Sequence, residues 1–191
     1  MTQKHATPHT EKTGAIAIVG SGIAGIQTAL DIANSGFRVQ LIEEKANVGG
    51  VMAQLDKTFP TNDCSSCMMG PKLAELANHP NIDIFAYTDV LDPEMSVASD
   101  ICAEKCPQKV SDPFNLNLNQ RKAIYIPYPQ AVPLVYTIDK EHCTYFTKGK
   151  CRVCEKVCKN KAIIFDQADE VITLDTGALI WAGGFEPFDA R

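Results

Sequence analysis

Residues 15–25 read AIAIVGSGIAG, and this stretch decides the fold. Its first five residues are almost wholly apolar, as expected of a parallel strand that is buried on both faces. The next six fit G-x-G-x-x-G through Gly20, Gly22 and Gly25. A helical pattern follows and ends near Gly36, a residue type that suits a helix C-terminus. A second strand over 38–42 completes a β-α-β pattern. The apolar face of the helix is formed by Ile23, Ile26, Leu30 and Ala33.

Each glycine of this pattern has a physical role in a dinucleotide site. Gly20 permits the tight turn from strand to helix, Gly22 lets a pyrophosphate approach the backbone, and Gly25 lets the helix pack closely on the strand. The free N–H groups of the helix N-terminus then face the phosphates. We therefore predict a Rossmann-type unit whose cofactor-binding turn consists of Gly20, Ser21, Gly22, Ile23, Ala24 and Gly25.

An acidic residue after the second strand strengthens this prediction. Glu43 lies 18 residues beyond Gly25, close to the roughly 20 expected of the carboxylate that binds a ribose hydroxyl. Glu44 is an alternative for the same role. Gly49 and Gly50 follow, and they resemble the Gly-Gly segment of flavoproteins that use FAD at their first Rossmann unit. Residues 178–184 resemble the later Ala-Thr-Gly strand of those proteins, although a plain buried strand ending in a glycine turn fits equally well.

The cysteines of the middle region have ferredoxin-like spacing. Cys143-x7-Cys151-x2-Cys154-x3-Cys158 matches C-x2-C-x2-C-x3-C with a longer first interval, for which we predict a loop over 144–150. Lys159 stands where proline is usual.

A second, incomplete run lies upstream of the first. Cys102-x3-Cys106-Pro107 matches only its last half. In paired ferredoxin runs the fourth cysteine serves the other cluster, so Cys106 completes a set with Cys143, Cys151 and Cys154. A second cluster would have only Cys102 and Cys158. Zinc also binds four thiolates and is the competing interpretation.

A further pair, Cys64-x2-Cys67, stands before a predicted helix over 72–79. It could be a redox-active dithiol, supply two ligands to the incomplete cluster, or be incidental. The ligand role is slightly favoured, because Cys102 and Cys158 alone would supply only two of the four ligands of a cluster.

Composition excludes several classes of protein. The net charge of -5 argues against broad nucleic-acid binding, and no apolar run approaches the length of a membrane span. Residues 1–13 are polar, so we expect a disordered tail and no secretory signal. Eight cysteines without a secretory signal indicate the reducing cytoplasm and metal or redox roles.

Three long segments carry a resemblance to a known family. Residues 53–65, 121–133 and 143–158 resemble the A subunits of heterodisulfide reductases, and the flavin subunits of the quinone-interacting membrane-bound oxidoreductase are similar. The resemblance runs from about Gly14 to Asp189. It implies FAD on a thioredoxin-reductase-like fold, a ferredoxin insert, and electron transfer among the partner subunits of a redox complex, where the flavin can split an electron pair. It also implies a longer chain, so the sequence looks like a fragment or a degenerate relative.

The resulting prediction is an α/β protein with an inserted iron–sulfur module. Residues 14–99 and 167–191 would form the incomplete FAD domain, with parallel strands near 15–19, 38–42, 82–87 and 178–182 and a return through 171–174. Residues 100–166 would form the [4Fe-4S] insert. The predicted function is electron transfer between FAD and one cluster, with no side chain acting as a general acid or base. The alternatives are a non-catalytic assembly piece with zinc or no metal, and a dithiol oxidoreductase using Cys64 and Cys67.

Overall fold

The structure, a computed structural model, describes residues 14–86, 101–158, 161–166 and 171–185. Its strands are β1 Ala15–Val19, β2 Arg38–Ile42, β3 Ile82–Phe85, β4 Lys109–Ser111, β5 Gln120–Lys122, β6 Ile124–Tyr125, β7 Thr137–Ile138 and β8 Ala178–Trp181. Its α-helices are α1 Ile23–Asn34, α2 Ser65–Asn78, α3 Ile101–Lys105, α4 Thr144–Lys148 and α5 Val153–Val157, and 3-10 turns span Gly50–Gln54 and Pro113–Asn115.

Four of the strands form one parallel sheet in the order β3-β2-β1-β8. β8 comes last in the sequence yet lies beside β1, where Ile18 pairs with Ile180. This confirms the predicted parallel α/β architecture. β1 and β2 have the predicted bounds, whereas β3 ends at Phe85 and Tyr87 lies outside the described residues.

The main core lies where α1 and α2 pack against this sheet. Ile18, Ile26, Leu41, Met69 and Leu76 are almost completely shielded from solvent. Burial of each such side chain contributes about 1.5–3 kcal/mol. This core fixes the end of β1 relative to the start of α1, and so positions the glycine turn between them.

The helix α2 begins earlier than the sequence pattern predicted. We expected a helix over 72–79, but α2 already begins at Ser65 and contains Pro71. Cys64 is the N-cap, and its sulfur accepts the N–H of Cys67 at 3.2 Å. Cysteine is not among the residues that usually signal a helix start, so no local pattern marked this cap.

The region between β3 and β8 has its own small core. Two antiparallel pairs, β4 with β5 and β6 with β7, lie beside the short helices α3, α4 and α5. The buried side chains of this core are Cys102, Ile124, Tyr136, Ile163 and Phe165. The loop predicted over 144–150 is wrong in part, because its first five residues form α4, which ends at left-handed Gly149.

Some expectations fall on segments that the structure does not describe. The predicted tail over 1–13 and the predicted boundary at residues 99 and 100 lie outside the described residues, as does Lys159. Residues 171–174, the predicted return to the sheet, are described and form no strand. None of the described helices has the length and apolar character needed to cross a bilayer.

Candidate functional site

The glycine turn packs tightly against its surroundings at two of its three glycines. Gly20 has a φ of +97°, and a Cβ there would lie 2.3 Å from the carbonyl oxygen of Ala182, just after β8. A Cβ on Gly25 would lie 1.9 Å from the carbonyl oxygen of Gly20. Any larger residue at either position would therefore push strand and helix apart.

Gly22 stands in different surroundings. Its φ of -66° and ψ of -177° are open to any residue, and a Cβ there would meet no atom of the described chain within 4 Å. It precedes α1 directly, and no side chain caps that helix. Ile23 and Ala24 form the exposed first turn. The turn thus leaves open space in front of free helix N–H groups, which is the arrangement that a pyrophosphate requires.

Glu43 is held against the turn, and Glu44 is exposed. One carboxylate oxygen of Glu43 accepts the backbone N–H of Ser21 at 3.0 Å and also the Ser21 hydroxyl. The other oxygen accepts the N–H of Lys45 at 2.9 Å. Ser21 itself is fully buried. A carboxylate fixed beside the glycine turn has the position expected of the ribose-binding acid, so the structure favours Glu43 over Glu44.

The Gly-Gly segment, Gly49 and Gly50, also contacts the glycine turn. The N–H of Gly49 donates to the carbonyl oxygen of Ser21 at 2.9 Å. A Cβ on Gly50 would lie 2.9 Å from the Cα of Gly22. Gly49 has a φ of +131°, which disfavours other residues. The predicted cofactor residues therefore converge on one place at the carboxyl ends of β1 and β2.

The four cysteines predicted to hold a cluster line a single recess, here called the thiol recess. Cys106 follows α3, Cys143 is the N-cap of α4, and Cys151 and Cys154 lie at the start of α5. Its apolar walls include Ala123, Ile124, Ile138 and Val153. The structure therefore brings Cys106 to the thiols of the later run, from which 36 or more residues separate it.

The thiols of the recess affect one another electrostatically. Burial raises the pKa of the Cys154 thiol to about 11. The backbone N–H of Glu155 opposes this rise, while Cys143, Cys106 and Cys151 add to it. No three His, Cys, Asp or Glu side chains of the described residues are arranged around one metal-ion position.

Cys102 and Cys158 lie apart from the lining of this recess. Cys102 is buried in the small core, and Cys158 packs against the same core. The Cys158 sulfur accepts the N–H of Ala162 at 3.3 Å. Cys106 and Cys154 also pack against this core, and the role of Cys102 and Cys158 as a second ligand set stays a prediction.

A buried arginine that the sequence did not single out supports the recess. The Arg121 guanidinium lies 2.9 Å from the Asp139 carboxylate and 3.6 Å from the centre of the Tyr125 ring. The Asp139 carbonyl accepts the N–H of Cys143 at 2.9 Å. Burial raises the pKa of Asp139, but hydrogen bonds from His142 and Arg121 outweigh it and leave the pKa below its ordinary value. Arg121 belongs to no cysteine or glycine motif, so only the fold reveals this role.

Cys64 and Cys67 are joined by a disulfide at the N-terminus of α2. Ser65 beside them is fully buried, and its hydroxyl donates to the carbonyl of Met52 in the 3-10 turn after Gly49. The pair therefore lies close in the fold to the Gly-Gly segment. A C-x2-C pair at a helix N-terminus is typical of redox-active dithiols, and all three interpretations of this pair remain predictions.

The parallel sheet and the glycine turn define a dinucleotide-binding protein of the Rossmann class. The family model that the chain matches agrees with this class, since residues 18–80 match the NAD(P)-binding Rossmann-like domain.

Comparison with curated proteins shows the family. The chain is 43% identical over 193 residues to the iron-sulfur A subunit of the CoB–CoM heterodisulfide reductase of Methanocaldococcus jannaschii, covering 91% of this chain and 29% of that protein. It is 43% identical to the corresponding A 1 subunit of Methanopyrus kandleri, covering 96% of this chain and 30% of that protein. It is 37% identical to the A subunit of the ferredoxin:CoB-CoM heterodisulfide reductase of Methanosarcina mazei, covering 92% and 24%. This chain belongs to the family of heterodisulfide reductase A subunits.

The comparisons confirm the resemblance seen in the sequence, because these relatives are named as A subunits of heterodisulfide reductases. The chain spans less than a third of the length of these relatives. Among solved structures, histamine dehydrogenase from Rhizobium sp. 4-9 matches 55% of this chain and 16% of its own, with 15% identity and a TM-score of 0.35; nothing is concluded from so low a score.

Proposed function

We propose that this chain passes electrons between FAD and one [4Fe-4S] cluster as a cytoplasmic subunit of a heterodisulfide-reductase-like complex. The observation that carries the proposal is the thiol recess. Cys106, Cys143, Cys151 and Cys154 line one recess in a chain that also builds a dinucleotide turn. Their grouping follows the crossover rule of paired ferredoxin runs.

The residues of the turn fit FAD. Gly22 leaves room for the pyrophosphate at the start of α1, and Glu43 offers a fixed carboxylate for the ribose. The Gly-Gly segment is typical of FAD-binding rather than NAD-binding Rossmann units, while the family model names only an NAD(P)-binding Rossmann-like domain. Bound FAD would supply the chemistry of accepting and releasing electrons. Gly22, Glu43 and the Gly-Gly segment would orient the bound FAD.

We favour a cluster over a single zinc ion in the thiol recess because of the cysteine spacing. The x2 interval between Cys151 and Cys154, the x3 interval to Cys158 and the distant Cys106-Pro107 are typical of ferredoxin runs. The apolar walls would also keep water from the cluster, one of the factors that set its reduction potential.

The relatives' names support the partner proposal. They describe subunits of heterodisulfide reductases, among them a ferredoxin:CoB-CoM heterodisulfide reductase. We infer that this chain passes its electrons to other redox subunits of such a complex.

Anaerobic purification followed by assays of iron, acid-labile sulfide and flavin tests the proposal. We expect four iron atoms and four sulfides per chain, with bound FAD and broad visible absorbance. Cys151→Ala should remove the cluster absorbance and leave the flavin bands. A colourless wild-type protein that contains zinc, or a spectrum that Cys151→Ala leaves unchanged, would overturn the proposal.

The disulfide supports a second candidate function, a dithiol oxidoreductase. In that function the Cys64–Cys67 disulfide would take up two electrons and two protons and open to two thiols, and FAD, if bound in its reduced form, would supply the electrons. Cys67→Ser separates the candidates. Loss of flavin-dependent thiol formation with the iron content unchanged would favour the dithiol, and loss of iron would favour the ligand role.

A further inference from the structure

The segment over 128–133, which connects β6 to β7, lies against the Gly-Gly segment. The Val48 N–H donates to the carbonyl of Val132 at 2.8 Å. The Asn47 side-chain amide donates to the carbonyl of Pro133 at 2.6 Å. Tyr128 completes the set, because its hydroxyl donates to the carbonyl of Val48. Three hydrogen bonds thus join the 128–133 segment to the residues just before Gly49 and Gly50.

Tyr128 occupies the central position among these contacts. Its phenol oxygen lies 2.7 Å from the point that a Cβ on Gly49 would occupy. Its ring stacks on Phe114 with 5.3 Å between centroids and packs against the core beneath the sheet. Burial and the nearby Glu43 carboxylate raise the pKa of Tyr128 to about 12, so that the hydroxyl stays a donor at any physiological pH.

The same segment is continuous with the thiol recess. β6 begins at Ile124 and β7 ends at Ile138, and both residues, with Ala123, form part of the recess wall. A displacement of the 128–133 segment would therefore change the geometry of both the thiol recess and the Gly-Gly segment. Tyr128 is the side chain of this segment that bonds to the backbone just before Gly49, through Val48.

We propose that Tyr128 is a positioning residue that fixes the Gly-Gly segment, and thereby the bound dinucleotide, relative to the thiol recess. The proposal rests on the proposed function, because it assumes that FAD binds at the glycine turn. The Tyr128 hydroxyl acts on FAD only through Val48 and Gly49. Its loss would leave the carbonyl of the buried Val48 without its donor and loosen the segment that contacts Gly22.

The test compares Tyr128→Phe with Tyr125→Phe in the full chain prepared anaerobically. Each change removes one hydroxyl and keeps the ring, and Tyr125 lies in the same region, beneath the Arg121 guanidinium rather than beside Val48. Three properties are measured: the FAD dissociation constant by flavin fluorescence, the visible circular dichroism of bound FAD, and hydrogen exchange at Val48 and Gly49. Cluster absorbance and melting temperature are recorded as controls.

For Tyr128→Phe we expect the FAD dissociation constant to rise about tenfold, because one hydrogen bond that holds the Gly-Gly segment is lost. We also expect an altered flavin dichroism signal and faster exchange at Val48 and Gly49. Tyr125→Phe should change none of these three properties. The positioning role is overturned if exchange stays at the wild-type rate, or if exchange rises while FAD affinity and dichroism do not move. A wild-type chain that binds no FAD would instead defeat the proposed function, and this role with it.

Discussion

At Gly22 a side chain would meet open space, and this distinguishes the residue from the other glycines of its turn. Gly20 and Gly25 are required by the protein itself, since a Cβ at either would overlap a backbone oxygen. No such contact explains Gly22, whose backbone angles suit any residue. This agrees with the proposal that a dinucleotide approaches the backbone closely at Gly22.

Gly22→Val should consequently abolish FAD binding while the fold survives. We expect affinity to fall by at least about a hundredfold, because the valine methyl groups would occupy the pyrophosphate position. Titration followed by flavin fluorescence measures the effect, and far-ultraviolet circular dichroism checks the fold. Gly70→Val is the control, since a Cβ at Gly70 in α2 also meets no atom of the described chain within 4 Å. Equal FAD affinity in the wild type and Gly22→Val would reduce the glycine pattern to a structural turn.

At the level of the secondary-structure elements, two arginine–carboxylate pairs differ in how deeply they are buried. Arg121 at β5 is 14% exposed and Asp139 after β7 is 11% exposed, whereas Arg38 at β2 is 49% exposed. Removing one partner of a buried pair leaves an uncompensated charge. Exposed pairs contribute little because water and salt screen them.

Arg121→Ala should therefore destabilise the protein far more than Arg38→Ala. We expect a loss of about 3 kcal/mol in the free energy of unfolding for Arg121→Ala, and less than about 1 kcal/mol for Arg38→Ala. Urea denaturation of the two variants under the same anaerobic conditions gives both values. If the two losses are equal, Arg121 does not support β5 and β7 in the way that its contacts indicate.

At the scale of the whole molecule, β8 forms an exposed edge of the parallel sheet. β8 pairs only with β1 among the described strands, and Leu179 and Trp181 are 63% and 76% exposed. Phe185, four residues after the end of β8, is also exposed. Apolar surface concentrated at a sheet edge favours association.

We expect the isolated chain to self-associate through this edge. Sedimentation velocity should show concentration-dependent association, and the double change Leu179→Gln with Trp181→Gln should reduce it. Phe59→Gln is the control, because Phe59 is 98% exposed but lies far from β8 in the sequence and outside the sheet. Monomeric wild-type protein at every concentration would contradict this expectation.

The sequence was most informative where local patterns determine local structure. The apolar run of β1, the glycine turn and the helix end at Gly36 depend on neighbours in the chain, and α1, β1 and β2 were predicted closely. The start of α2 was missed because its N-cap is a cysteine, a residue type that rarely signals the start of a helix. Arg121 and Tyr128 could not be assigned roles, since their partners are distant in the sequence and match no local pattern.

The thiol set was predicted from ferredoxin spacing, which pairs cysteines that are distant in the sequence. The crossover rule selects Cys106 and leaves out Cys158, although Cys158 belongs to the same local run as Cys143, Cys151 and Cys154. The lining of the thiol recess includes Cys106, and the binding of a cluster there stays a prediction. The competing possibility, a set formed by that run alone, would instead use Cys158.

Iron content after anaerobic reconstitution, measured in Cys106→Ala and Cys158→Ala beside the wild type, decides between these two thiol sets. We predict that wild type and Cys158→Ala hold four iron atoms per chain with the same visible absorbance. We predict that Cys106→Ala loses the stable cluster, because one of its four thiolate ligands is missing. Retention of the cluster in Cys106→Ala together with its loss in Cys158→Ala would show that the thiol recess does not hold the cluster.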